Sequence, residues 1–180
     1  NETLEGIIAE AIDYKKLQRR GKEGKELLYA LNQQTPYTGW MKAMWGNGQI
    51  KGLVQYEDGK MDGLGTEWHS NGQKKSVVNW KDGKKDGPSI GWFGNGKKRV
   101  EVNYKDGQQQ GIRRNWYENG KEKSEYTYKQ GKLITATAWK INGERCIETD
   151  VVEGDGVGVL YGNDGVVKGR YTYKAGSEVS

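Results

Sequence analysis

The sequence predicts an all-β protein: an elongated antiparallel meander of about six β-hairpins, each formed by a repeat of 22–24 residues, after an N-terminal amphipathic α-helix. Three observations support this fold class. Glycine occupies 28 of 180 positions and proline only 2, whereas glycine usually supplies about 7% of a chain. Seven Trp and eleven Tyr are too many aromatic residues for a disordered chain. An Asn-Gly or Asp-Gly dipeptide also recurs at nearly constant spacing.

The recurring dipeptides define the period of the repeat. They stand at Asn47-Gly48, Asn71-Gly72, Asn95-Gly96, Asn119-Gly120, Asn142-Gly143 and Asp164-Gly165. The steps between them are 24, 24, 24, 23 and 22 residues. We take the Asn or Asp of each dipeptide as position 0 of its copy, so that equivalent residues form columns.

Four further columns align across the copies. Position +12 is always glycine, at Gly59, Gly83, Gly107, Gly131, Gly154 and Gly176. Position −8 is glycine in five copies, at Gly39, Gly63, Gly87, Gly111 and Gly156, with Ile134 in the other. Position +9 is aromatic at Tyr56, Trp80, Tyr104, Tyr128 and Tyr173, with Val151 as the exception. Position −3 holds Trp68, Trp92, Trp116, Trp139 and Tyr161, with Met44 in the first copy.

Each copy reads as two strands joined by a tight turn. Asn-Gly between strand-like segments favours a type I′ turn, which needs positive φ at both central residues. Asp-Gly dipeptides such as Asp58-Gly59 and Asp82-Gly83 then return the chain to the next copy. These two turns account for two glycine columns, whereas no turn geometry accounts for the column at −8.

The residues before the repeats have a helical pattern. Apolar residues recur at Leu4, Ile7, Ile8, Ala11 and Tyr14, which predicts an amphipathic helix over residues 3–19. Gly21 and Gly24 would end the helix, and the apolar run 27–31 predicts a first strand. We expect residues 1–35 to form a helix and cap, and residues 36–180 to form the repeat array. The helix caps the open sheet edge in the favoured interpretation, and docks on a partner or a membrane surface in the alternative.

The columns resemble the variant form of the MORN repeat. The segment 63–86 contains Trp68, Asn71-Gly72, Lys75, Trp80 and Asp82-Gly83-Lys84 at the positions of that repeat, and the resemblance covers about residues 36–176. It implies an elongated β-hairpin meander with a binding or scaffolding role and no catalytic residues. Similar bacterial proteins are commonly labelled antitoxin or immunity components of toxin systems, and many others are exported.

The residues that could carry catalysis or bind a metal have structural explanations. His69, the single histidine, occupies position −2, where most copies have an aromatic residue. Cys146, the single cysteine, replaces a basic residue at position +4, and no base for a thiol lies near it in sequence. Acidic residues such as Asp62 and Asp82 fall in turn columns, where a short carboxylate caps main-chain N–H groups. We therefore predict no enzyme, no catalytic residues, no metal site and no cofactor.

Two columns are candidate binding surfaces. The first, the basic ladder, is the cation at position +4: Lys51, Lys75, Arg99, Lys123 and Lys168. The second, the aromatic column, is the tryptophan at position −3: Trp68, Trp92, Trp116 and Trp139. The basic ladder could bind an extended anionic partner, or it could be a solvated outer face of the sheet. The rings of the aromatic column could stack on a sugar or a base, or they could form the core. A two-residue turn would place the tryptophan opposite the basic residue, and a longer turn would not.

The leading functional prediction is a non-enzymatic, protein-binding scaffold of antitoxin or immunity type. The alternatives are a cell-envelope or polysaccharide-binding module and a self-assembling β protein whose sheet edges associate. The net charge of +5, concentrated in residues 36–131, also suits an anionic surface, whereas sequence-specific nucleic-acid binding is not expected. No apolar run is long enough to span a membrane. The first residue is Asn1 and not Met, as a removed export signal or tag would leave it, and an envelope or secreted location is favoured over the cytoplasm.

Overall fold

The computed structural model of the protein describes residues 3–162 and 164–179. The chain forms two compact units, Asn1–Asp86 and Gly87–Ser180. Both are built from antiparallel hairpins that follow one another along the chain, and a single short α-helix precedes them. The predicted fold class is therefore confirmed. The division at residues 35 and 36 into a cap and an array stays a prediction.

The first unit contains the helix and the first strands. Its elements are α1 (Leu4–Glu10), β1 (Ile12–Asp13), a 3₁₀ turn (Tyr14–Lys16), β2 (Leu17–Arg20), β3 (Leu27–Ala30), β4 (Gly39–Met44), β5 (Ile50–Glu57), β6 (Lys60–Trp68) and β7 (Lys74–Lys81). Strands β1, β4, β5, β6 and β7 form a sheet in that order, and β2 pairs with β3 in a separate hairpin. The predicted apolar strand is thus β3, but it lies outside the main sheet.

The helix is shorter than predicted, so the expectation of a helix over residues 3–19 is wrong in extent. Thr3 caps its start by accepting a hydrogen bond from the N–H of Gly6, and the chain becomes extended at Ala11. Ile12 and Asp13 then pair in parallel with β4, which has main-chain groups to offer at its edge. This pairing takes the place of the predicted continuation of the helix.

The helix packs on one face of the first sheet. Ile7 and Ile8 contact a buried cluster that includes Leu53 and Trp68, and Lys42 Nζ donates to the carbonyl oxygen of Ile8 at 2.6 Å. Leu53 occupies position +6, which is glutamate in the third, fourth and fifth copies. The first copy is therefore apolar where the helix covers it. The expectation that the helix caps the open sheet edge stays a prediction, because α1 packs on a face and β1 pairs with β4.

The second unit continues the hairpins. β8 (Lys84–Trp92) begins just before its boundary and is followed by β9 (Lys98–Lys105), β10 (Gln108–Gln109), β11 (Gly111–Trp116), β12 (Glu122–Lys129), β13 (Lys132–Ala138), β14 (Asp150–Val152), β15 (Asp155–Tyr161), β16 (Val167–Lys174) and β17 (Ser177–Val179). Each strand pairs with the next, except that β10 pairs only with β9 and β9 pairs onward with β11. Two buried clusters form the core, one around Tyr117 and Tyr161 and one around Leu133 and Val151.

The Asn-Gly turn of each copy does not have the predicted geometry. At the Asn-Gly turns only the glycine has positive φ, as at Gly48 with φ 82°, and the turn is closed by hydrogen bonds from Trp45 N to Gln49 O and from Gly48 N to Trp45 O. This is a three-residue loop with a glycine bulge. The type I′ signature belongs to the second turn, where Asp58 and Gly59 have φ of 47° and 77°. The predicted type I′ turn at Asn-Gly is therefore wrong.

The Asn side chain explains why the first turn needs that residue. Asn47 Oδ1 accepts a hydrogen bond from the N–H of Gln49 at 3.1 Å, which stabilises the turn locally. Its Nδ2 donates to the carbonyl oxygen of Ser70, in the turn of the next copy, at 3.2 Å. Asn95 makes the corresponding bond to Glu118 in the second unit. In these copies the turn is thus also bonded to the following one.

The five glycines of the column at −8 all have positive φ, and at Gly63 this accompanies a bulge in the strand that follows the second turn. In the pairing of β5 with β6 the register shifts between Val54 and Tyr56, and Gly63 lies in the shifted segment with φ +94°. A Cβ atom at Gly63 would also overlap the side chain of Gln55. The backbone conformation favours glycine here, whereas the end of the Gln55 side chain can move away from a Cβ atom.

Candidate functional site

The basic ladder occupies one structurally defined position in each hairpin. Trp68 pairs with Lys74 and Glu67 pairs with Ser76, so Lys75 is the extra residue of a β-bulge. The same bulge places Lys51, Arg99, Lys123 and Lys168. The Asn-Gly loop therefore has more than two residues. The tryptophan at −3 lies opposite the residue at +3, and the basic residue at +4 is not its partner.

The side chains of the basic ladder differ in the residues with which they interact. Lys75 pairs with Glu67 at 3.1 Å and Lys168 with Asp164 at 2.7 Å, so an acidic side chain already neutralises each. Lys51 lies over the ring of Trp45, with its Nζ 4.7 Å from the centroid. These ladder members do not form a continuous row of unneutralised cations.

Arg99 and Lys123, like Lys51, are not ion-paired with a carboxylate, and both line one cleft. The Arg99 side chain makes no ion pair or hydrogen bond with residues 3–162 and 164–179. Lys123 places its Nζ 5.3 Å from the centroid of the Tyr117 ring. Burial lowers the pKa of Lys123, and the nearby Asp164 carboxylate partly offsets this.

The aromatic column divides between core and partly covered positions. Trp68 is 6% exposed in the cluster beneath α1, so it is a packing residue that a ligand does not reach. Trp92, Trp116 and Trp139 are half-buried. Lys98 Nζ lies 5.2 Å from the ring centroid of Trp116 and covers part of that ring.

A cleft in the second unit brings two ladder cations together with one residue of the aromatic column. Its volume is about 310 Å³. Its walls are Phe93, Arg99, Arg113, Asn115, Trp116, Lys123, Ser124, Tyr126 and Leu160. Three of these nine residues are cationic and none of the nine is Asp or Glu. We call this the basic cleft, and its electrostatic character favours an anionic ligand.

A short chain of hydrogen bonds fixes one wall of the basic cleft. Arg113 Nε donates to Asn115 Oδ1 at 3.2 Å, and Asn115 Nδ2 donates to Ser124 Oγ at 3.0 Å. Asn115 and Ser124 are directly opposite each other on β11 and β12, as are Arg113 and Tyr126. The antiparallel register therefore places these four side chains on one face.

Arg113 and Tyr126 are the residues that sequence reasoning missed. Arg113 stands at position −6, where the other copies have Met41, Gly65, Ser89, Ala136 and Gly158. A single cation in a column of small or apolar residues is the signal that could have identified it. Tyr126 stands at +7, where the second and third copies have valine, and it packs partly into the core.

The two residues considered for catalysis have other surroundings. His69 lies in a first turn, where its N–H donates to Gln73 O at 2.8 Å and its carbonyl accepts from Gly72. Cys146 is 1% exposed, and its Sγ lies 3.0 Å from the hydroxyl oxygen of Tyr161. Unlike Lys51, Lys75 and Lys168 of its column, which are exposed, Cys146 is a core residue. The column predicts an exposed position for Cys146. The fifth copy has an irregular backbone there, and this places the side chain in the core.

The stacked hairpins define a repeat protein whose copies contact their neighbours through turns and strand pairs. The MORN repeat variant family matches three consecutive segments of the chain, residues 61–82, 85–106 and 109–130. Residues 61–130 therefore contain three consecutive MORN-variant repeats, in the region where the columns indicated them. No curated protein matches it. Within residues 3–162 and 164–179, no helix is long and apolar enough to cross a membrane.

Proposed function

We propose that this chain is a non-enzymatic repeat scaffold that binds an acidic segment of another protein in the basic cleft. The single observation that carries the proposal is the convergence of Arg99, Arg113 and Lys123 on one recess whose nine lining residues include no carboxylate. Cations without a carboxylate partner attract an anionic partner and orient it on approach.

The walls of the basic cleft support a protein ligand. Phe93, Trp116 and Tyr126 add aromatic surface, and Leu160, which is 38% exposed, adds an aliphatic contact. Aromatic residues and arginine are enriched at the energetically important centres of protein interfaces. An acidic segment with an apolar neighbour would match both kinds of wall.

The rest of the ladder favours a compact anionic segment over a long polyanion. An extended polyanion needs a run of unneutralised cations, but Lys75 and Lys168 are already paired with Glu67 and Asp164. A polysaccharide would need open aromatic faces, whereas Trp68 is buried and Lys98 covers part of Trp116. An antitoxin or immunity role is the case in which the bound protein is a toxin, blocked by occupying its acidic segment.

Fluorescence anisotropy with short labelled peptides tests the proposal. A peptide of alternating glutamate and leucine is compared with one in which lysine replaces glutamate. We expect only the acidic peptide to bind, and the double variant Arg99→Gln/Lys123→Gln to weaken it about tenfold or more. Binding should also weaken as salt rises to about 0.15 M, and the double variant should be less sensitive to salt.

The matched control is the double variant Lys75→Gln/Lys168→Gln, which removes the same charge from ladder cations that have acidic partners. We expect this control to leave the affinity within about twofold of the wild type. Equal losses in the two double variants would mean that net charge alone attracts the peptide, and the basic cleft would not be the site.

A further inference from the structure

The charge of the basic cleft exceeds that of a single carboxylate. Arg99, Arg113 and Lys123 supply three cations, and none of the nine lining residues is acidic. One carboxylate brings a single charge and two oxygens. A phosphoryl monoester brings a charge of about −1.5 to −2 at neutral pH and three acceptor oxygens. The larger anion matches the set of cations better.

The fixed wall of the basic cleft also offers donors rather than acceptors. Arg113 directs Nε to Asn115 and Nη1 to Gln109, both neutral oxygens, which leaves its Nη2 to donate to a ligand. Ser124 Oγ accepts from the Asn115 amide, so its own proton is available to donate. Ser124 is only 5% exposed and is held in place by this chain of bonds. Preorganised donors of this kind suit an oxyanion.

We infer that the group taken by the basic cleft is a phosphorylated side chain of the partner protein, so that partner binding depends on phosphorylation. This inference rests on the proposed function and specifies its ligand. The aromatic and aliphatic walls formed by Phe93, Tyr126 and Leu160 would contact the residues beside the phosphorylated one. Clusters of arginine are a recurrent means of recognising phosphorylated motifs.

The shape of the basic cleft, a recess of about 310 Å³, suits a protruding side chain better than a membrane surface. A membrane presents a plane of headgroups, which a flat row of unpaired cations would fit better than a single recess. The ion-paired Lys75 and Lys168 weaken such a row. The structure thus favours a phosphopeptide, and vesicles become an arm of the test.

The experiment compares three labelled peptides of one sequence, with serine, glutamate or phosphoserine at the centre and leucine beside it, on the full chain. We expect the phosphoserine peptide to bind at least about tenfold more tightly than the glutamate peptide, with the serine peptide weakest. Because the second phosphate pKa is about 6, its affinity should rise between about pH 5 and about pH 7, whereas that of the glutamate peptide should change little. Phenyl phosphate should compete, and benzoate should not.

Arg99→Gln carries the test, because Arg99 makes no contact on which the fold depends within the described residues, and circular dichroism checks that the variant folds. It should weaken phosphopeptide binding about tenfold. Arg114→Gln is the matched control, since Arg114 neighbours Arg113 in sequence but pairs with Glu125 at 2.8 Å on the other face of the strand. We expect Arg114→Gln to retain binding.

The outcomes separate the two proposals. Equal, Arg99-dependent binding of the glutamate and phosphoserine peptides would overturn the phosphorylation dependence and leave the proposed function standing. Binding of neither peptide, with capture on vesicles of anionic phospholipid, would overturn both. Phosphopeptide binding that Arg99→Gln does not change would place the phosphate elsewhere and overturn this inference.

Discussion

The carboxylate of Asp62 accepts a hydrogen bond from the main-chain N–H of Asp82 at 3.0 Å, although the two residues are 20 positions apart. The donor has φ 49° in a type I′ turn, so its N–H cannot be satisfied within its own strand pair. Thr38 caps Asp58 and Asp155 caps Ala175 in the same way. In these copies the polar side chain at position −9 therefore caps the second turn of its own copy.

Removal of this cap should destabilise the first unit. We expect Asp62→Ala to lower the free energy of unfolding by about 1 kcal/mol, because the Asp82 N–H loses its acceptor. Asp62→Asn keeps an acceptor oxygen and should lose less than half of that. Urea denaturation followed by tryptophan fluorescence measures both. Equal stabilities of the alanine variant and the wild type would contradict the capping role.

Gly63, in the glycine column at −8, should not tolerate a side chain. Gly63→Ala should lower the free energy of unfolding by more than about 1 kcal/mol, since φ is +94° and the new Cβ overlaps Gln55. Gly46→Ala is the control, because a Cβ at Gly46 meets nothing within 4 Å. Thermal unfolding of the two variants compares them directly. The prediction fails if they unfold at the same temperature.

The cluster beneath α1 should dominate the stability of the first unit. Leu53 is 3% exposed and packs with Trp68, so Leu53→Ala should cost about 2–5 kcal/mol. Leu64→Ala makes the same change at a site that is 41% exposed, and should cost less than about 0.5 kcal/mol. Chemical denaturation measures this contrast. Similar losses at both sites would show that the helix does not bury the cluster in solution.

The pair of Tyr161 and Cys146 predicts a loss of stability at high pH. The hydrogen bond to Cys146, followed by burial, raises the pKa of Tyr161 from 10.0 to about 12. The folded state therefore favours the neutral phenol. Its contribution to stability is fully present below pH 10 and is lost as the pH rises through about 12.

Ultraviolet titration of tyrosinate measures this pKa. The variant Tyr161→Phe assigns it, because the ionisation at the highest pH should then disappear from the titration curve. In Cys146→Ala the pKa of Tyr161 should fall towards 10 but stay above it, because burial remains. The same titration curve in wild type and Cys146→Ala would show that the thiol does not raise this pKa.

Part of the candidate site could be predicted from the sequence. The period places Arg99, Lys123 and Trp116 in columns, and the cleft does contain all three. Sequence reasoning missed Arg113, the only cation at position −6. An unusual residue in a column indicates a binding site only when the residues that face it on the next strand are known. The partner of Arg113 in register is Tyr126, and that pairing depends on a bulge in the hairpin. A bulge moves the register by one residue, which no composition or spacing reveals.

The sequence alone determined the period, the hairpins and the need for glycine at fixed positions, because turn chemistry is local. Only the tertiary structure decided which turn is type I′, where α1 ends and which cations remain without an acidic partner. Each of these depends on groups far apart in the chain. The edge of β4 ends the helix by pairing with Ile12, and Glu67 neutralises Lys75 across a hairpin. Arg99 has no such neighbour in the described chain, and it lines the basic cleft.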